Sequence, residues 1–409
     1  MTSVLAGKCV IELGTMIAAP FAGHLLSQLG ADVIKVEPPI GDSTRQMMRG
    51  GPSGTFIAYS RGKRSVCIDL KTPEGQSVLQ KLIAKADIVI HNLAPLAAQR
   101  LKLTFDDCDR LNPHIIHCHI SGYGAGPRES ELASNPVIEA NTGVMYSNRV
   151  EGRPTRLGPS YHDQFSGCYA VIGILAALGA KNPDRLTRKV ELGLYETGLH
   201  VAARDLVGAQ LKTQLGVKSR PNSGGEFSMP GYGAYETADG RWIFILMLTD
   251  THWQKFCVAL AIHEGQDAEL ATMRQRKLQR PRVENIVKSA VKAVDYHALS
   301  ECLYRAGVGC TEVTSTETTL NDPQAQVPGK LAQLPFGGLE FNLPNMPLPN
   351  QLAIDEDERS PPLLGEHTVE VLQKIGFTSL ECTQLIEQQV VCIPQKPATR
   401  DALWAPVKK

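Results

Sequence analysis

Short apolar strands alternate with helices through the first 121 residues, and this order limits the chain to one class of fold. The predicted strands cover residues 8–14, 31–37, 65–70, 88–92 and 115–121. Between the first two strands, Pro20 lies in the first turn of a helix and Gly30 ends that helix. A connecting helix of this kind makes the two strands parallel, with a right-handed crossover. The sequence therefore predicts an α/β fold, with a large domain around a doubly wound, mostly parallel, Rossmann-like sheet.

A change of pattern near residue 218 indicates a second domain. Residues 218–232 are rich in Pro and Gly, and a hairpin signal follows around Ala238-Asp-Gly240. Helices and a last strand follow up to residue 313, which together predict a smaller α+β domain. We assign residues 1–217 and 331–409 to the large domain and residues 218–330 to the small one.

The end of the large domain is predicted to be irregular. Residues 335–362 are Pro-rich and would form a long connector that wraps over a surface. A last helix over residues 366–375 ends at Gly376, and a C-terminal tail follows it.

Charge and cysteine content argue against several classes of partner. The 42 Lys and Arg residues balance the 42 Asp and Glu residues, which disfavours a large surface for nucleic acid or anionic membrane. The 10 cysteines include no Cys-x-x-Cys pair, as expected of reduced thiols. The longest apolar helix candidate, residues 168–178, is too short to cross a bilayer, and the opening residues do not resemble a signal peptide. We therefore expect a cytoplasmic protein with no nucleic-acid or membrane partner.

A doubly wound sheet binds its ligands in the loops at the carboxyl ends of its strands. The candidate loops are residues 14–20, 38–64, 92–95 and 121–127. The first loop lacks the Gly-x-Gly-x-x-Gly sequence and the last one opens into Pro127, so a nicotinamide dinucleotide is not favoured. Another nucleotide-containing ligand is compatible with these loops. Four cationic residues lie near these loops: Arg61, Lys63, Arg64 and Lys71. They either contact the phosphates of such a ligand or are ordinary solvent-exposed residues at the start of a strand.

Asp163 stands just before an apolar helix and is the main candidate for chemistry. As a helix N-cap it would accept backbone N–H bonds, and the positive end of the helix dipole would keep it ionised. As a nucleophile it would attack a substrate from the same position. The residues alone leave both interpretations open.

A histidine-rich strand raises the question of a metal site. His117 and His119 would share one face of a strand, whereas Cys118 would lie on the other face and His114 precedes the strand. No second ligand pair at metal spacing lies nearby, so a metal site is not expected.

Several segments, in order along nearly the whole chain, carry a resemblance to a known family. They are Ala19–Gly23, Leu29–Pro38, Lys63–Gly75, Ile120–Gly124, Thr237–Trp242, Ala306–Val308, Asp322–Gln324 and Leu364–Thr368. Together these segments resemble the family III CoA-transferases, which include formyl-CoA and carnitine CoA-transferases and have α-methylacyl-CoA racemase as a relative. The resemblance implies an enzyme that moves CoA from an acyl-CoA to a small carboxylic acid. Coenzyme A would be a substrate, with no further cofactor, and the protein would be an interlocked homodimer.

The resemblance also implies roles for individual residues. Asp163 matches the catalytic aspartate, which forms an aspartyl anhydride and then an aspartyl-CoA thioester. Gly224 and Gly225, in Ser223-Gly-Gly-Glu226, match a glycine-rich loop that stabilises oxyanions. Glu139 and Ile17 would line the acyl pocket. The positions that match CoA-binding residues are Ala18, Lys71, Asn92, Leu93 and Arg100.

Some residues of this chain differ from those of the related enzymes, and these differences argue against certain substrates and reactions. Formyl-CoA transferases have His and Gln where this chain has Thr15 and Ile17, so formate and oxalate are not expected as substrates. Ser134, followed by Asn135, falls where racemases have their basic histidine, and serine is a poor base near neutral pH. A racemase-like isomerase and a non-catalytic CoA-binding protein are the alternatives. Asp163 argues against the second.

Overall fold

The computed structural model describes residues 3–48, 51–150, 152–216, 229–349 and 360–394. By its internal contacts the chain divides into two compact units. The first unit consists of Met1–Tyr146, Arg156–Ser219 and Val327–Lys409, and the second consists of Ser147–Thr155 and Arg220–Gln326. Within the described ranges, no helix combines the length and hydrophobicity that a membrane crossing requires.

The strand–helix alternation predicted for the first 121 residues is present. Its strands are β1 (Cys9–Leu13), β2 (Asp32–Glu37), β3 (Arg64–Ile68), β4 (Ile88–His91) and β5 (Ile116–Ser121). Its helices are α1 (Ala18–Gln28), α2 (Gly54–Ser60), α3 (Pro73–Lys85), α4 (Pro95–Arg100) and α5 (Phe105–Leu111).

Residues 122–216 add a long helix and a sixth parallel strand. The elements are α6 (Asn135–Asn141), α7 (Val144–Ser147), β6 (Arg149–Val150), β7 (Arg153–Pro154), α8 (Tyr161–Gly179), β8 (Lys189–Gly193), α9 (Leu194–Val201) and α10 (Ala203–Gln214). Two helices follow β8, and they meet at Ala202.

The second unit contains a small antiparallel sheet and several helices. Its remaining elements are β9 (Gly233–Glu236), β10 (Trp242–Ile245), α11 (Asp250–Ala259), α12 (Met273–Leu278), α13 (Arg280–Lys292), α14 (Tyr296–Ala306), β11 (Cys310–Glu312) and α15 (Thr316–Thr319). The predicted hairpin is confirmed, because β9 pairs antiparallel with β10 from Trp242 opposite Glu236. Strand β11 adds to the other side of β10.

The last described part of the first unit differs from the structure predicted for it. Its elements are β12 (Leu331–Phe336), β13 (Leu339–Pro344), α16 (Thr368–Lys374), α17 (Ser379–Glu387) and β14 (Val391–Cys392). The prediction of an irregular connector from residue 335 was wrong up to residue 344, because β12 and β13 form a hairpin. Phe336 and Leu343 of this hairpin pack against Phe56 of α2, and this contact provides the core that a hairpin needs.

A mostly parallel central sheet organises the first unit. Its strand order is β14-β3-β2-β1-β4-β5-β8, and all neighbours are parallel except the antiparallel pair of β14 and β3. The order reverses between β1 and β4, which is the switch point where such sheets bind ligands. The predicted doubly wound, mostly parallel sheet is confirmed.

Both faces of this sheet are covered, as parallel sheets require. Alternate strand residues point to opposite cores. Val10 and Ile88 pack with buried residues of α1 and α8, whereas Ile11 and Val89 pack with buried residues of α3, α16 and α17. The helices of the first core, α1 and α8, also contact each other directly.

Candidate active site

The carboxyl edge of the sheet brings most of the residues implied by the resemblance to one side of the first unit. Ile17 and Ala18 follow β1, Lys71 follows β3, and Asn92 and Leu93 follow β4. Because these strands are parallel, their following loops share one edge. Arg100 ends α4, the short helix that starts just after Leu93.

The two loops at the switch point are joined through Asn92. Its side-chain nitrogen donates to the carbonyl of Thr15 over 2.9 Å, and its side-chain oxygen accepts the Thr15 N–H over 2.9 Å. Asn92 therefore holds the loop after β1 beside the loop after β4. This contact with the neighbouring loop was not part of the sequence interpretation, which considered Asn92 only as a CoA contact.

Asp163 lies in the first turn of α8, and the N-cap interpretation was wrong. The helix begins at Tyr161, with Ser160 in the N-cap position, so Asp163 is the third helical residue. The apolar residues that suggested a helix from 168 belong to its later turns. Their pattern could not show the polar first turn.

Close packing of α8 on α1 brings Asp163 to the carboxyl edge. A Cβ at Gly167 would lie 3.0 Å from the carbonyl oxygen of Ala18, so the two helices approach at this glycine. Asp163 lies one turn before Gly167, on the same face of α8. Helices that lead from one parallel strand to the next run opposite to the strands, so α1 and α8 both begin at the carboxyl edge. The first turn of α8 is therefore next to the start of α1.

The carboxyl group of Asp163 is half-buried, and no hydrogen bond or ion pair from the described residues offsets the cost of burying it. Burial raises its pKa to about 6. Among the described residues, no hydrogen bond or ion pair reaches its carboxylate. Asp163 therefore lacks the backbone hydrogen bonds expected of an N-cap residue, and desolvation holds the pKa of its carboxyl group above the ordinary value of 3.8.

Helix α6 braces the first turn of α8. The Asn135 side-chain oxygen accepts the backbone N–H of His162 over 2.9 Å, and its nitrogen donates to Glu139 Oε1 over 2.6 Å. Glu139 Oε2 accepts the N–H of Leu157 over 3.1 Å. Asn135 therefore supplies, from another helix, the acceptor that the N-cap residue Ser160 does not provide. Glu139 is buried in this brace; whether it also lines an acyl pocket stays a prediction.

The cationic residues near β3 do not form one phosphate site. Arg61, Lys63 and Arg64 are buried and bind groups of their own chain, so neither the phosphate contact nor the solvated strand start applies to them. Lys71 is exposed, as is Arg100. Both Lys71 and Arg100 are positions that match CoA-binding residues, and both face solvent.

The histidines of β4 and β5 form a buried cluster. His91 Nε2 lies 3.2 Å from His117 Nε2, which also contacts the carbonyl of Leu103 over 2.8 Å. Burial lowers the pKa of His91 far below its usual range and that of His117 to about 4. The cluster borders a cavity of about 530 Å³ and is neutral at physiological pH. Within the described part of the chain, no group of three His, Cys, Asp or Glu side chains has the arrangement of a metal site.

Gly224 and Gly225 lie outside the described residues, so their role as an oxyanion loop stays a prediction.

Comparisons with known proteins agree with the resemblance. Residues 5–368 match the family model of CoA-transferase family III. A succinate–glutarate CoA-transferase of Agrobacterium fabrum is 29% identical over 91% of this chain and 95% of its own length. A succinyl-CoA–D-citramalate CoA-transferase of Chloroflexus aurantiacus is 30% identical over 77% of this chain and 79% of its own length. The crystal structure of a CAIB/BAIF family protein from Brucella suis is 28% identical, with a TM-score of 0.80 over 92% of this chain and 100% of that one.

The unpartnered Asp163 carboxylate should reduce stability. The pKa of Asp163 is higher in the folded chain than the ordinary value of 3.8. The free energy of unfolding therefore decreases as pH rises through about 6. Asp163→Asn removes this charge. We expect the variant to exceed the wild type in free energy of unfolding by about 1 to 3 kcal/mol at pH 8, and the difference to vanish below about pH 4. Denaturant unfolding across this pH range measures both quantities.

Asp205→Asn is the matched control, because Asp205 is also the third residue of its helix, α10, and is exposed. We expect little change in stability from this control. A loss of stability in Asp163→Asn at pH 8 would contradict the account of its buried charge.

Proposed function

The chain belongs to CoA-transferase family III, and we propose that Asp163 is the nucleophile through which it moves CoA from an acyl-CoA to a free carboxylic acid. The observation that carries this proposal is the unpartnered, half-buried carboxylate of Asp163 in the first turn of α8. A structural aspartate in this place would be expected to accept hydrogen bonds. A carboxylate without donors keeps its oxygen lone pairs available for attack.

The first half of the proposed reaction loads CoA onto the enzyme. An oxygen of Asp163 attacks the thioester carbonyl, and CoA leaves as a thiolate, which gives a mixed anhydride of Asp163 and the acyl group. The thiolate then attacks the Asp163 carbonyl of this anhydride. The donor acid leaves as a carboxylate, and an aspartyl-CoA thioester remains.

The second half passes CoA to the acceptor. The acceptor carboxylate attacks the aspartyl-CoA carbonyl and releases the thiolate, which forms a second anhydride. The thiolate attacks the acyl carbonyl of this anhydride, so the new acyl-CoA forms and the Asp163 carboxylate is restored. Each step exchanges one carboxyl derivative for another of similar reactivity, so no further cofactor is part of the proposal.

The carboxyl edge offers contacts for the rest of CoA. We assign the exposed cations Lys71 and Arg100 to its phosphates, because Lys71 lies in the loop after β3 and Arg100 ends α4, the helix that follows β4. Ala18, Asn92 and Leu93 are assigned to the pantetheine arm. Asn92 would act through the backbone of its loop, since its side chain is engaged with Thr15.

The relatives suggest the first substrates to try. The two named above act on succinate and glutarate or on succinyl-CoA and D-citramalate, which are dicarboxylic acids or their CoA derivatives. We therefore propose a dicarboxylate as donor or acceptor. Succinyl-CoA as donor, with glutarate, D-citramalate and a monocarboxylate such as butyrate as acceptors, forms the first assay panel.

A trapped intermediate tests the proposed mechanism. Incubation with an active acyl-CoA, followed by hydroxylamine or borohydride, should modify the peptide that contains Asp163, as read by mass spectrometry. Asp163→Ala should show no modified peptide and no CoA exchange. Because the nucleophile must be ionised, kcat/KM of the wild type should fall as pH drops below about 6.

Three results would overturn this proposal. One is CoA exchange by the wild type with no modification at Asp163. The second is epimerisation of a 2-methylacyl-CoA without CoA exchange, which would establish the racemase alternative. The third is binding of CoA with neither reaction, which would indicate a non-catalytic CoA-binding protein.

We also propose a homodimer, because helices α8 and α10 each carry exposed apolar side chains. Exposed apolar residues of α8 and α10 include Phe165, Ile172, Val207 and Leu211. Such groups of apolar side chains favour association. Light scattering should give twice the chain mass of 44.5 kDa, and Val207→Glu with Leu211→Glu should shift this mass towards that of a monomer. A monomeric wild type would contradict the proposal; whether the two chains interlock stays a prediction.

A further inference from the structure

A fully buried carboxylate lies under the switch point and binds two buried lysines. Glu12 of β1 has no exposed surface. Its Oε1 accepts from Lys35 Nζ over 3.0 Å, and its Oε2 accepts from Lys63 Nζ over 2.6 Å. Asp42 Oδ2 accepts from Lys35 over 2.9 Å, so two carboxylates balance two ammonium groups. Burying four charges costs several kcal/mol per ion before pairing, and apolar residues would fill this space at lower cost.

The two lysines bind the two ends of the segment 14–20, which contains the loop before α1 and the first turn of α1 itself. Lys35 Nζ donates to the carbonyl of Gly14 over 2.8 Å, and Lys63 Nζ donates to the carbonyl of Pro20 over 2.7 Å. Between these ends, Asn92 holds Thr15. The loop is therefore fixed at its start, near its middle and in the first turn of α1.

The fixed loop is not in a relaxed conformation. Met16 has φ of 63°, the left-handed region that side chains other than glycine rarely adopt. Such strain persists only where the surroundings hold the backbone in place. Loss of one of the contacts that hold the loop would therefore allow it to relax.

Helix α1 also approaches the buried carboxylate closely. A Cβ at Gly23 would lie 2.0 Å from Glu12 Oε2 and 3.2 Å from Lys63 Nζ. A glycine is thus required where α1 passes over the Glu12–Lys63 pair. The pair contacts the same helix whose first residue, Ala18, faces Gly167 of α8.

We propose that Lys63 is a positioning residue for CoA transfer: together with Glu12 it holds the start of α1 against the turn of α8 that carries Asp163. The inference rests on the proposed function of Asp163. Lys63 touches no substrate in this proposal. It acts through the carbonyl of Pro20, and a shift of about 1 Å in such a support can lower the rate of a reaction about 100-fold.

The test compares two neighbouring buried cations. Lys63→Met removes the contact with Pro20. Arg64→Met is the matched control, since Arg64 is also buried but binds Asp32 and Glu370 and no part of the loop. Both variants should lower the melting temperature, because Lys63→Met leaves Glu12 and Asp42 to share one cation, Lys35, and Arg64→Met leaves Asp32 with Lys374 as its remaining cation. Only Lys63→Met should lower kcat, by about 10- to 100-fold, with a change in KM for acyl-CoA of less than about threefold.

A double variant separates positioning from stability. Glu12→Gln with Lys63→Met removes one charge of each sign and leaves Lys35 paired with Asp42. We expect its melting temperature to recover towards that of the wild type while kcat stays low, because the Pro20 carbonyl still lacks its donor. This variant also provides the test if Lys63→Met alone does not fold.

Hydrogen exchange on the substrate-free protein gives a readout independent of activity. Amides of residues 15–19 should exchange faster in the double variant than in the wild type or in Arg64→Met. Recovery of kcat together with the melting temperature, or unchanged exchange in this loop, would overturn the role of Lys63. If the wild type forms no adduct at Asp163, the proposed function fails, and the exchange measurement still decides whether Lys63 holds the loop.

Discussion

A parallel sheet places the carboxyl ends of all its strands at one edge, and the candidate site depends on this constraint. Loops after β1, β3 and β4 meet there although they are far apart in sequence. The reversal of strand order between β1 and β4 opens the gap in which Asn92 joins the backbone of Thr15. Helix α8 reaches the same edge because it runs opposite to the strands. The sheet therefore determines where Asp163 lies.

Within this frame, the contacts that surround Asp163 hold its backbone and leave its carboxylate free. Asn135 fixes the N–H of His162, the residue just before it, and Gly167 allows α1 to approach one turn later. The carboxylate itself has no donor among the described residues, and burial raises its pKa. Such a group weakens the fold, whereas a reactive carboxylate benefits from weak solvation. Stability and the proposed activity make opposite demands on this side chain.

The sequence was sufficient for features that depend on local patterns. Strand–helix alternation predicted the parallel sheet, and the Ala238-Asp-Gly240 signal predicted the β9–β10 hairpin. It could not predict features that depend on distant partners. The β12–β13 hairpin depends on packing against Phe56, nearly 280 residues earlier, and prolines concealed it.

The same limit applies to the site. Lys63 was considered as a solvated or phosphate-binding cation, because no local pattern shows that Glu12 lies beside it. Asn135 was considered only as the neighbour of Ser134, because its contact with His162 follows only from the packing of α6 on α8. The residues alone left Asp163 as either a helix N-cap or a nucleophile. The resemblance along the whole chain was needed to favour the nucleophile.

The central claim is that an oxygen of Asp163 becomes part of the acyl-transfer chemistry. An acceptor acid labelled with heavy oxygen in both carboxylate positions tests this most directly. In the proposed reaction the acceptor oxygen that bridges the second anhydride stays on Asp163 when CoA leaves with the acyl group. After one turnover, mass spectrometry should find one heavy oxygen in the peptide containing Asp163 and one in the new acyl-CoA thioester. A new acyl-CoA formed with no label in that peptide would contradict the account.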